Sequence, residues 1–116
     1  GDVYKRQAMI LRVGPLAVNP LDAAAQFHAE VLPAARAALQ GGEELTLVFA
    51  PADHTHRGWR LAVVQELARD HAPLRVNALC GGDEQAIVAA ADWLGRAPGV
   101  TGQYLPLDAK GAGALV

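Results

Sequence analysis

The run Leu45-Thr46-Leu47-Val48-Phe49-Ala50 restricts what this chain can fold into more than any other segment. It is apolar almost without interruption, so as a strand it has no face to offer to water. Such a strand is covered on both sides, the condition of an interior strand in a parallel sheet. Three further short runs have strand character: Met9–Val13, Leu74–Cys80 and Gln103–Leu107. Pro106 lacks an N–H, which places the last of them at the sheet border.

Helical stretches separate these runs. The first extends from about Pro20 to Leu39, with Asn19 as N-cap and Pro20 at the first position, where a missing donor costs nothing. Ala24, Phe27, Val31, Ala34, Ala35 and Ala38 fall on one stripe. Pro33 is expected to kink or split this helix, and Gly41-Gly42 to stop it. The second spans Thr55 to His71, buries Trp59, Ala62, Val63, Leu67 and the stem of Glu66, and ends at Pro73. The third begins at an Asp83 cap, turns Ile87, Ala90, Ala91 and Leu94 inward, and ends before Pro98-Gly99. The order βαβαβαβ specifies an α/β fold with a parallel sheet of about four strands and three helices, right-handed crossovers being the default.

Composition removes several classes of function. A length of 116 residues suits one domain, and residues 9–116 are read as that domain; the charged stretch 1–8 shares no pattern with it and is read as a non-native leader. A net charge of −2 gives no reason to expect nucleic acid or an anionic membrane as partner. No apolar run approaches the roughly 20 residues that span a bilayer. The lone Cys80 excludes an internal disulfide and fits a cytoplasmic location.

Few residues invite chemistry. The chain contains no serine, so a Ser/His/Asp hydrolase is excluded. His54 and His56 suggest a metal, but two histidines at the start of a helix diverge, and His28 and His71 lie on other elements. Cys80 is the one candidate nucleophile, since a thiol before a helix N-terminus has a lowered pKa; a buried small residue is the simpler reading. Gly81-Gly82-Asp83 has the form of an anion nest, although the Asp83 side chain competes for the same donors.

Two stretches carry a family likeness. Leu67-Ala68-Arg69-Asp70-His71-Ala72-Pro73-Leu74-Arg75-Val76-Asn77-Ala78-Leu79 resembles the helix-to-strand segment of short-chain dehydrogenases, and Val100-Thr101-Gly102-Gln103-Tyr104-Leu105-Pro106-Leu107-Asp108 resembles their closing strand. Both occur in order with a helix between. The resemblance is clear over residues 45–113 and weaker over 9–44, where Arg12-Val13-Gly14 stands at the family's Asn-Ala-Gly turn. It implies the back half of a Rossmann-like fold, with oligomer contacts built by the helix before the Arg-Val-Asn-Ala strand and by the closing strand. Trp59, Val63, Trp93 and Tyr104 are the interface candidates on that basis.

The chemistry implied by the resemblance is not matched. The family's catalytic Tyr, and the Lys four residues after it, align with Asp53 and Arg57. An aspartate near pKa 3.9 cannot replace a phenol near 10 as an acid at neutral pH, and an arginine is permanently protonated. An N-cap aspartate followed by a solvated arginine is the better reading of this pair. After the first strand, Gly14-Pro15-Leu16-Ala17-Val18-Asn19-Pro20 has one glycine and two prolines where a dinucleotide fold needs a flexible, donor-rich turn. Asp108-Ala109-Lys110 departs from the family's closing Asp-Gly-Gly. The expectation is a non-catalytic domain with an oligomeric or protein-binding role and no cofactor. The alternative is an oxidoreductase component that binds NAD(P) weakly or completes a site with another chain.

Overall fold

A computed structural model describes residues 8–107. Nearly all of the expected leader and the altered Asp108-Ala109-Lys110 close lie outside the described residues. The strands are β1 (Met9–Arg12), β2 (Leu45–Phe49), β3 (Val76–Gly81) and β4 (Tyr104–Leu107). They form one parallel sheet in the order β1-β2-β3-β4, with Leu47 beside Leu11 on one side and Ala78 on the other. Every residue of β2 and β3 is buried, as the apolar run required. Pro106 lies on β4 at the sheet border, where among the described residues no further strand needs its missing donor.

The first helical rod has three parts: α1 (Pro20–Gln26), a π-helical turn (Phe27–Val31) and α2 (Leu32–Gln40). The Asn19 side chain accepts from the Leu21 and Asp22 amides. The split expected at Pro33 takes the form of the π turn: the Leu32 amide donates to the Phe27 carbonyl, five residues back, which widens the rod just where the proline ring would meet the Ala29 carbonyl. The widening also moves the inward face. Ala23, Phe27, Ala35 and Leu39 are buried, whereas Ala34, placed on the stripe by regular spacing, is exposed.

The second helix opens with a 3₁₀ turn (His54–His56) and continues as α3 (Arg57–Asp70). It buries Arg60, Val63, Val64 and Leu67. Ala62 and Glu66, expected inside, are exposed. The inward stripe runs His56, Arg60, Val63 and Leu67 at regular helical spacing, and two of its members are polar residues that an apolar count passes over.

The last helix, α4 (Glu84–Gly95), buries Ala86, Ile87, Ala90 and Leu94 on the opposite face of the sheet. Leu47, Phe49, Ala78 and Cys80 belong to the core under α1–α3, while Val48 and Leu79, one residue out of phase, pack beneath α4. The strand order advances in one direction while α4 changes face, so the β3–α4–β4 link has the opposite hand to the two before it. The default of uniformly right-handed crossovers therefore fails at this link. Gly81 and Gly82 make the exit possible: both have positive φ (+78° and +81°), and a Cβ on Gly82 would lie 3.0 Å from the Leu107 Cβ.

Candidate functional site

The carboxyl ends of β1 and β2 and the start of the second helix enclose a cavity of about 260 Å³. Asp53 stands at its mouth, exposed. Its carboxylate accepts from the Thr55 amide at 2.9 Å and from the Thr55 hydroxyl, and these bonds hold its pKa below the ordinary carboxylate value, the hydroxyl contributing most. Arg57 is exposed on the first turn of α3, and no ion pair joins it to Asp53 among the described residues. Asp53 thus acts as a cap for the 3₁₀ turn.

Behind Asp53 the side chains turn inward. His56 is buried; its Nε2 lies 2.8 Å from the Val18 carbonyl, and its Nδ1 accepts from the Trp59 indole at 3.2 Å. Both bonds are satisfied by the tautomer with the proton on Nε2. His54, two residues earlier, is exposed, so the two rings diverge. Among the described residues no group of three or more His, Cys, Asp or Glu side chains is placed to hold a metal ion.

Arg60 is the residue that sequence reasoning missed. Its side chain is 3% exposed, and its Nη1 reaches the Ala50 carbonyl (3.0 Å), the Tyr104 hydroxyl (3.2 Å) and the Cys80 sulfur (3.4 Å). The guanidinium carbon lies 4.6 Å from the centre of the Phe49 ring, a cation–π arrangement in a desolvated setting. Its Nε is buried without a hydrogen-bond partner. The available signal was periodicity, since Arg60 continues the stripe of Val63, Val64 and Leu67 one turn earlier.

Cys80 therefore faces the α3 side of the sheet, against Arg60 and the Ala50 carbonyl, and not the α4 N-terminus on the other face. The dipole argument for a reactive thiol does not apply to it. Asp83, which follows the two glycines, accepts from the Ala86 amide and caps α4, so the donors of the suspected anion nest are partly taken.

The interface candidates separate. Val63 is 7% exposed and lies in the core, where it has no surface for a partner. Tyr104 is half-buried, with its ring against Phe49 and its hydroxyl turned in to Arg60; burial raises its pKa above the ordinary tyrosine value, with Cys80 adding to the rise. Trp59 is half-buried against Phe27 and Phe49. Trp93 alone of the four is largely exposed, at 52%.

Residues 11–107 match the family model described as short chain dehydrogenase-like protein. The chain belongs to that family. Comparison with curated proteins finds no match, and comparison with solved structures finds none either. The residues that carry the family likeness have structural work in this member. Arg75 pairs with Glu44 at 2.9 Å and donates to the Leu94 and Ala97 carbonyls, tying the end of α4 to the entrance of β2. Asn77 donates to the Val100 carbonyl and accepts from the Gln103 amide, both at 3.0 Å. Thr101 accepts from the Val76 amide, and Gly102, at φ +75°, donates to the Val76 carbonyl. Arg75, Asn77, Thr101 and Gly102 hold strands and turns together, and none of these four lines the cavity.

Proposed function

We propose that this short-chain dehydrogenase-like chain is non-catalytic and acts through protein contact, in the first instance with a second copy of itself. One observation carries the reading: α4 covers β2, β3 and β4 but reaches the same face of β1 only through the Arg12–Glu84 ion pair. Ile10, which shares that face with Val48 by register, is exposed. Beside it runs a groove lined by Ile10, Val88, Ala89 and Asp92, and Trp93 stands one turn from Ala89. An apolar surface next to a strand edge that is unpaired among the described residues favours association. The use of Asp53 as a cap supports the non-catalytic part of the reading, because a carboxylate below its ordinary pKa is a poor acid at neutral pH.

A nucleotide-binding role is the competing reading, favoured by one fact: the cavity lies at carboxyl ends of parallel strands, where ligands of open α/β sheets bind. Light scattering on the size-exclusion eluate, with calorimetric titration of NAD(H) and NADP(H), separates the two. The expected result is a dimer at about 100 µM, a concentration well above a micromolar dissociation constant, weakened by Ile10→Lys, with no nucleotide heat. A wild-type monomer at that concentration, or specific micromolar nucleotide binding, overturns the proposal.

No helix among the described residues is long and apolar enough to cross a membrane.

A further inference from the structure

We propose that the cavity beside Asp53 binds a small monocarboxylate with an apolar body, and that Arg60 is the residue that holds it. The inference starts from an imbalance of charge. Arg60 is 97% buried by its 3% exposure, yet among the described residues no carboxylate pairs with it; its three acceptors are a carbonyl, a phenol and a thiol. A buried cation is ordinarily matched by an anion, because neutral acceptors and an aromatic face offset only part of its desolvation.

The geometry of the guanidinium says which edge is free. Nη1 is occupied three times over, and Nε has no partner. What remains for a ligand carboxylate is the Nη2 side, which makes no hydrogen bond among the described residues, whereas Nε is sealed from solvent. Arg60 lines the cavity, so a ligand there meets this residue.

The walls define the rest of the ligand. Val13, Leu16, Val18, Phe49 and Pro51 surround the space, so the body of the ligand is apolar. Both ring nitrogens of His56 are already engaged, which leaves Arg60 as the anchor. The Asp53 carboxylate at the mouth opposes a second negative charge, favouring a monoanion over a phosphate or a dicarboxylate. At about 260 Å³ the cavity is just under the range of drug-sized ligand pockets and cannot enclose a dinucleotide.

Benzoate is the probe, followed by ¹⁵N-correlated NMR on the wild-type protein. The readouts are the Arg60 Nε–H resonance and the backbone amides of Gly14, Ala17 and Ala52. Benzoate should shift these saturably with a dissociation constant of about 1 mM or tighter. Benzamide, its neutral analogue, and phthalate, its dianionic one, should each bind at least about tenfold more weakly, a difference of about 1.4 kcal/mol. Arg60→Gln tests the anchor directly; because it alters a buried residue, Ala17→Phe is the companion variant, filling the cavity while retaining Arg60. Loss of benzoate binding in Ala17→Phe, with the spectrum otherwise dispersed as in the wild type, supports the site. An unmoved Arg60 resonance at about 20 mM benzoate, equal binding of benzamide, or undiminished binding in Ala17→Phe would each overturn it.

Discussion

Asn77 shows how a residue of the family motif serves the fold. Its amide bridges the Val100 carbonyl and the Gln103 amide, so one side chain on β3 fixes the turn that brings the chain into β4. It is 3% exposed, although its partners Val100 and Gln103 lie on a partly exposed turn. Truncation removes both bonds and leaves the partly buried Val100 carbonyl and Gln103 amide without their partner, at about 1 kcal/mol or more each. Asn77→Ala is therefore expected to destabilise the protein by about 2–3 kcal/mol in denaturant melts, with the largest loss of amide protection at Val100–Gln103. A loss of under about 0.5 kcal/mol would mean that the turn is held by Thr101 and Gly102 alone. The sequence made Asn77 conspicuous through the family likeness, but its role depends on a turn some 25 residues away, which no local pattern encodes.

At the scale of elements, the first helical rod shows why regular spacing misplaced some core residues. Sixteen residues separate Ala23 from Leu39, and at about 100° per residue an unbroken α-helix would put them nearly on opposite sides. The π turn absorbs about one residue of rotation and leaves both facing the sheet. Proline signalled the interruption; the resulting change of phase is a property of the three-dimensional turn. Deleting the exposed Ala29 and replacing Pro33 by Ala should convert the rod to a continuous α-helix with Phe27 and Leu39 still inward. The expected outcome is a folded protein within about 1 kcal/mol of the parent, with helical circular dichroism maintained and the Phe27 aromatic resonances still core-shifted. A molten spectrum would show that the π turn has a packing role beyond phase. The same limit explains α3, whose stripe was legible in spacing but not in hydropathy, because His56 and Arg60 occupy apolar-type positions. The parallel sheet, by contrast, was readable throughout, since the apolar run of β2 admits no other environment.

Across the whole molecule, the Arg60 cluster joins elements that are distant in sequence. Through one guanidinium, α3 is tied to the end of β2 at Ala50, to β3 at Cys80 and to β4 at Tyr104, while Phe49 packs against its face. The fold on this side is held by a polar clamp set in an aromatic cage, an arrangement that the low aromatic content does not suggest. The clamp carries a pH dependence whose sign follows from Tyr104. Burial, reinforced by the neighbouring Cys80, raises the folded-state pKa of the phenol above its ordinary value, while Arg60 pulls the other way without reversing the rise. The neutral phenol is thus favoured in the folded state more than in the unfolded chain. Its contribution to stability is complete below the ordinary tyrosine pKa of about 10 and declines as pH rises through the elevated folded value. Tyr104→Phe should cost about 1 kcal/mol at pH 7, where the hydroxyl accepts from Arg60, and should lose less stability than the wild type between about pH 9.5 and 11. Urea melts across that range, with absorbance at the phenolate band to follow ionisation, measure both effects. Parallel pH profiles for the two proteins would place the alkaline sensitivity elsewhere and leave the phenol as a hydrogen-bond acceptor alone.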